Sequence, residues 1–378
     1  MSRRPYRELH PLAWWLWAVG LAAAASLTTN PLTLLLLVVV VACVVSARRT
    51  DHPWARSFRF YLWLGAVAVV LRVVWRILLG GYSGTVLIDL PEIPLPDAVL
   101  GIRLLGPVTR EALLSGLYDG LRLATIVICI GAANSLANPK RLLRSLPPAL
   151  YEVGTALAVA VTVLPQFTES LTRVRAAQAL RAGETRRVRG LRRLVVPVLE
   201  DTLERSLALA AGMDTRGYGR SGGLDPRQRR VSGALLLGAL AGLLVGTYAF
   251  LDPTAPRWLA ALGLLIGFAA AAGGFRSAGR RVVRTRYRPD PWRREETAVA
   301  AVGLGAGVVA WWVGREQVGI AYPDLDVVPQ VSLVALLGTL LGLLAIAASP
   351  LPRAPEPTGD PAAPPTDSPS LPRERIRT

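Results

Sequence analysis

Residues 31–49 read PLTLLLLVVVVACVVSARR, and this stretch decides the fold class. From Pro31 to Ser46 no side chain carries a charge, and Arg48 and Arg49 follow at once. A soluble amphipathic helix would show a polar stripe, and a half-buried strand would alternate; this run does neither. It is apolar on every side and needs an apolar solvent, which the hydrocarbon core of a bilayer, about 30 Å thick, supplies. The arginines behind it mark the cytoplasmic end under the positive-inside rule.

Comparable runs cover residues 12–29, 58–80, 113–133, 149–167, 231–250, 257–275, 296–314 and 331–349, which with 31–46 makes nine. Their continuous character predicts helices, because barrel strands would alternate over about ten positions. The 378 residues are 52% hydrophobic and 18% charged, too apolar for an ordinary soluble domain. The net charge of +17 lies in arginines between the runs, so it reads as membrane topology, and no nucleic-acid partner is expected. Cys43 and Cys129 sit inside apolar runs as small hydrophobes and imply no disulfide framework. The first run follows Arg3, Arg4 and Arg7 without a small-residue cleavage site, which predicts an uncleaved span with its N-terminus inside.

Orientation comes from the arginines. Arg48, Arg49 and Arg56 follow the second run, and Lys140, Arg141 and Arg144 follow the fourth. If both the 134–148 loop and the region after 168 are cytoplasmic, the fifth run does not cross once. One run must then be re-entrant or interfacial, with the first pair and the segment after Pro147 and Pro148 as candidates. The loop from about 81 to 112, with Pro91, Pro94, Pro96 and Pro107, is expected outside, and the Pro-, Ala- and Ser-rich end from Pro350 is expected to be disordered.

The segment between the fifth and sixth runs holds fourteen arginines from Arg173 to Arg230. A first helix, roughly Glu169 to Ala182, places Leu171, Val174, Gln178 and Arg181 on one stripe and stops near Gly183. A second helix after Pro197 puts Val195, Leu199, Leu203, Leu207 and Ala210 on one side, with Asp201 and Arg205 as an i,i+4 pair. It is expected to end at Gly217, since glycine tolerates the left-handed conformation that terminates helices. Each helix thus finishes with an arginine and then a glycine: Ala177-Gln178-Ala-Leu-Arg181-Ala-Gly183 and Gly212-Met213-Asp-Thr-Arg216-Gly217-Tyr218. One reading is helix-dipole complementation followed by a stop. The other is a docking plug, because the planar fork of arginine donates several hydrogen bonds while staying charged.

At these residues the sequence resembles the transmembrane T component of energy-coupling factor transporters, a family that includes the T subunits of cobalt uptake systems. That family carries two Ala-Arg-Gly-type motifs at the ends of cytoplasmic coupling helices. Met213, Arg216 and Gly217 match the second; Ala177, Gln178, Arg181 and Gly183 match the first, with Ala182 intervening. Leu9-His10-Pro11, Asn30-Pro31 and Leu136-Ala-Asn-Pro-Lys-Arg-Leu-Leu extend the likeness over roughly residues 8 to 220. The resemblance implies an all-α, polytopic helical membrane protein with cytoplasmic amphipathic coupling helices, in the cell membrane. It implies two ABC-type ATPase subunits gripped by the coupling helices, and a substrate-binding S component held in the membrane for uptake of a vitamin or transition-metal ion. Four parts are expected: membrane helices over 1–167, coupling helices over 168–230, further membrane helices over 231–349 and a tail over 350–378. Gly238, Gly242 and Gly246, like Gly338 and Gly342, offer small faces either for packing within the chain or for the membrane partner.

No phosphate-binding loop of the Gly-x-x-x-x-Gly-Lys-Ser/Thr type occurs, since the sole lysine is Lys140, so ATP hydrolysis is expected from partner chains. His10 and His52 stand apart and form no zinc motif; neither a cofactor nor a metal site is expected. Arg72, Arg76, Arg122 and Glu152 are embedded ionisable residues; Arg72 and Arg76 either snorkel or pair, or they line a transport path. The rivals are a membrane-embedded transferase, for which Asp89, Glu92 and Asp97 are the nearest acidic group, and a scaffold whose arginines lie on anionic lipid.

Overall fold

The computed structural model describes residues 8–49, 57–79, 84–91, 93–94, 103–145, 147, 150–180, 187–217, 226–279 and 290–350. The helices among them are α1 (Pro11–Ser26), α2 (Pro31–Arg48), α3 (Phe58–Leu79), α4 (Arg110–Leu136), α5 (Pro139–Arg144), α6 (Tyr151–Leu180), α7 (Arg187–Thr215), α8 (Pro226–Leu251), α9 (Arg257–Gly279), α10 (Arg294–Glu316), α11 (Val318–Ala321), α12 (Leu333–Leu341) and α13 (Leu344–Ala348). Between α3 and α4 the strands β1 (Val86–Asp89), β2 (Ile93–Pro94), β3 (Arg103–Leu104) and β4 (Pro107–Thr109) make two short antiparallel ribbons, β1 with β4 and β2 with β3. The fold is helical, as the continuous apolar runs require.

Among the described residues six helices are long and apolar enough to cross a membrane: α2, α3, α4, α8 from Arg230, α9 and α10. The other three apolar runs depart from simple crossings, each for a visible reason. Helix α1 has 16 residues, and at 1.5 Å per residue it is about 24 Å long, short of the hydrocarbon core. The 149–167 run is the first half of α6, which continues to Leu180 because no glycine or proline interrupts residues 166–180. The 331–349 run divides at Gly342, where Gly342 N–H and Leu343 N–H donate to the carbonyls of Thr339 and Leu340 in a tightened turn.

Boundaries expected at 167/168 and 230/231 therefore fall inside α6 and α8. The second amphipathic helix starts at Arg187 and carries Pro197 within it, where the missing proline N–H interrupts one bond without ending the helix. The tail after Pro350 lies outside the described residues.

The helices fall into two compact units, α1–α4 with α10–α13, and α5–α9. In the first, α1 packs against α10 and α4, α2 against α4 and α12, and α3 against α4. Its core gathers Trp17, Leu21, Leu34, Leu37, Val41, Cys129, Ala132 and Val299. Two motifs quoted above for their family likeness prove to be helix starts. The imidazole of His10 accepts from Leu12 N–H at 3.2 Å with Pro11 as the first helical residue, and Asn30 Oδ1 accepts from Leu32 N–H at 3.1 Å ahead of Pro31.

Asn30 is fully buried and also donates through Nδ2 to the carbonyls of Ile320 at 2.8 Å and Gln330 at 2.7 Å. Nearby, Thr28 Oγ1 donates to Ala321 O at 2.7 Å, Trp17 Nε1 donates to the Gly342 carbonyl at 3.2 Å, and buried Glu296 accepts from His10 N–H at 3.4 Å. Helices α1 and α10 meet backbone to backbone: a Cβ on Gly20 would lie 2.2 Å from the Gly303 carbonyl oxygen, so only glycine fits. In the second unit α8 and α9 form a hairpin through Gly242 and Gly246 against Gly263 and Gly267, where a Cβ on Gly246 would stand 2.5 Å from Leu264 N. Gly338 and Gly342 likewise meet Val309 and Val40, while Gly238 faces open space. The small faces, Gly238 aside, serve packing within this chain.

Candidate functional site

Helices α6 and α7 pack together. Residues 181–186 connect them, so they run antiparallel. One polar contact fixes their register: Ser170 Oγ on α6 donates to Asp201 Oδ2 on α7 at 2.5 Å, while Arg205 Nε donates to Asp201 Oδ1 at 3.1 Å. The Ser170 hydroxyl, then Arg205, holds the Asp201 carboxyl below the ordinary carboxylate range. Ser170 and Val198 are buried at this seam. On the far side of α7, Leu199, Leu203 and Leu207 are 57%, 62% and 63% exposed, so the apolar stripe read from the sequence faces away from α6. The Asp201–Arg205 pair was legible as an i,i+4 spacing, but Ser170, 31 positions from Asp201, left no local signal.

The second motif caps α7. Its last helical residue is Thr215; Arg216 N–H and Gly217 N–H donate to the carbonyls of Met213 at 3.1 Å and Asp214 at 2.9 Å, and Gly217 has φ +75°. That left-handed conformation needs glycine and stops the helix where expected. Met213 is half-buried, and Arg216 and Gly217 are exposed. Among the described residues Arg216 forms no ion pair, so its fork points outward as a free donor set. Of the first motif, Ala177 is exposed on α6 and Gln178 lies on the same helix, while Arg181 and Gly183 fall outside the described residues. The antiparallel register separates the two motifs: measured from the Ser170–Asp201 contact, Ala177 and Arg216 lie in opposite directions, about 30 Å apart at 1.5 Å per residue.

The embedded ionisable residues pair. Arg72 Nη2 and Arg76 Nη2 on α3 both donate to Asp119 Oδ2 on α4, at 3.1 and 3.2 Å. Arg122 donates to the Ser26 carbonyl at the end of α1. The side chain of Glu152 lies outside the description. Sequence reading found the two arginines and missed Asp119, which sits 47 residues from Arg72.

Membrane-length helices stand before and after an amphipathic hairpin with exposed arginine and leucine, as in a multi-pass membrane protein with a polar insert. The chain belongs to the CbiQ family, described as cobalt transport protein, whose family model matches residues 2–226. A comparison with curated proteins finds no match. The matched stretch takes in α1 to α7 and the whole α6–α7 hairpin; α9 to α13 follow it.

Proposed function

We infer that this chain is the energy-coupling T component of an ECF-type ABC importer. In this reading the α6–α7 hairpin faces the cytoplasm and grips two ABC-type ATPases, and the membrane helices hold an S component that captures a transition-metal ion or vitamin. The observation that carries it is the end of α7, where a glycine-terminated helix presents an exposed Arg216 with no ion-pair partner among the described residues. An exposed guanidinium on a glycine-terminated cap suits insertion into a groove lined with acceptors. The spacing supports two ATPases rather than one: motifs about 30 Å apart on one stiff hairpin are too distant to share a single pocket. Residues 177, 178, 181 and 183 would serve one ATPase, and 213, 216 and 217 the other. ATP hydrolysis belongs to those subunits, and the hairpin passes their movement to the membrane partner.

Coexpression with candidate ABC-type ATPases from the same genome tests the reading. Tagged wild-type chain is expected to retain both ATPases through purification, and Arg216→Glu to lose at least one of them along with ATP-dependent uptake. Undiminished assembly and uptake with Arg216→Glu would sink the mechanism.

A further inference from the structure

The ribbon between α3 and α4 has no part in the coupling reading, and its side chains are unusually apolar for a solvated loop. On β1, Val86, Leu87 and Ile88 are each more than half exposed. A bulge between Val86 and Ile88 re-aims the side chains there, yet leaves all three uncovered. What covers them follows from where β1 is held.

Both ends of β1 are tied to membrane-length helices. At its start the Thr85 carbonyl accepts from Arg110 N–H at 3.0 Å, and Thr85 N–H donates to Glu111 Oε2 at 3.0 Å, so the strand begins beside the first turn of α4. At its end Asp89 pairs with Pro107, and close by Leu105 N–H donates to the carbonyl of Leu78, in the last turn of α3, at 2.8 Å. Leu105 takes φ +63° there, a conformation that a branched side chain seldom adopts. The four residues of β1 cover about 10 Å. Packed helices stand about as far apart, so the strand lies across the ends of α3 and α4 and does not project away from them.

Those ends mark a boundary. Helix α3 has 22 residues, about 33 Å, against a hydrocarbon core of about 30 Å. Its final turns leave Trp75 half exposed, with Leu78 and Leu79 partly so, and tryptophan collects at the headgroup level of a bilayer. The apolar side chains of β1 continue that uncovered surface. Charge agrees with depth: Arg110 is exposed, forms no ion pair among the described residues, and as the first residue of α4 opposes the positive end of the helix dipole. A lipid phosphate beside it would offset that repulsion.

We propose that β1 is a membrane-surface anchor, lying in the headgroup region with Val86, Leu87 and Ile88 turned to the upper acyl carbons and Arg110 on a lipid phosphate. Exposed aliphatic side chains beside a free cation are the pattern of an element that lies on a bilayer.

Electron paramagnetic resonance on the full chain, in nanodiscs of phosphatidylcholine and phosphatidylglycerol, reads this depth. A nitroxide on Leu87→Cys, in a Cys43→Ser background, is expected to collide with oxygen more often than with a water-soluble nickel chelate. A label on Leu71→Cys, near the middle of α3, should behave alike, and one on Pro253→Cys, in the α8–α9 turn, the opposite way. Arg110→Glu suits the helix dipole better than the native residue, so it spares the fold, yet it should lower the oxygen-to-nickel ratio at position 87 by repelling the phosphate. Val86→Cys reads the same surface if Leu87→Cys misfolds. A label as open to nickel as that at position 253 would overturn the proposal. So would a label closed to both reagents, which would mean that protein covers the strand, and so would a ratio unchanged by Arg110→Glu.

Discussion

Asn30 shows how much one side chain can carry. Its Oδ1 caps α2 and its Nδ2 satisfies two carbonyls of the distant α11–α12 region, in a position with no access to water. Asn30→Ala removes a cap and strands two acceptors, a loss of about 3 kcal/mol. The expected result is a lower Tm in detergent, with Asn30→Asp recovering only the cap and so falling between the two. A Tm equal to wild type for Asn30→Ala would mean that water replaces the amide. Sequence reading placed Asn30-Pro31 at a helix junction and stopped there, since neither acceptor is near it in the chain. Gly217 lay at the other extreme: its role is local, so the sequence alone located it and φ +75° followed.

At the scale of the element, the α6–α7 hairpin depends on Asp201. Its carboxyl titrates below the usual range because Ser170 and Arg205 stabilise the ionised form. The stabilisation is therefore present above the ordinary carboxylate value, about 3.9, and is lost as pH falls through the lowered folded value. Hydrogen exchange across residues 162–209 is expected to rise on acidification below that range. Asp201→Asn should raise it already at neutral pH and flatten its dependence on pH. Unchanged exchange in the variant would show that apolar packing alone holds the pair. The amphipathic period of α7 was readable because a stripe repeats locally. The start of α7 before Pro197 and the run of α6 through residue 168 were not, because polarity changes there while backbone bonding does not.

Taken whole, the chain closes its first unit with its last helices. Helices α10–α13 lie beyond the residues matched by the family, yet α10 meets α1 at Gly20 and Gly303, and Trp17, Thr28, Asn30 and Arg48 all bond to residues after 319. A chain ending at Asp290 is expected to aggregate on size exclusion, and supplying residues 291–378 as a separate polypeptide should restore a soluble, monodisperse species in detergent. A monodisperse truncation would mean that the N-terminal helices close without them. Composition and periodicity announced these late helices but not their partners, since close approach of Gly20 and Gly303 leaves no periodic trace. The 290 residues between Asn30 and Ile320 also set a clock. At about 5–20 residues per second, a ribosome needs roughly 15–60 s to deliver the acceptors that Asn30 awaits. During that interval the Asn30 amide has its helix cap but not its two distant acceptors, so the part of the protein made first is finished last.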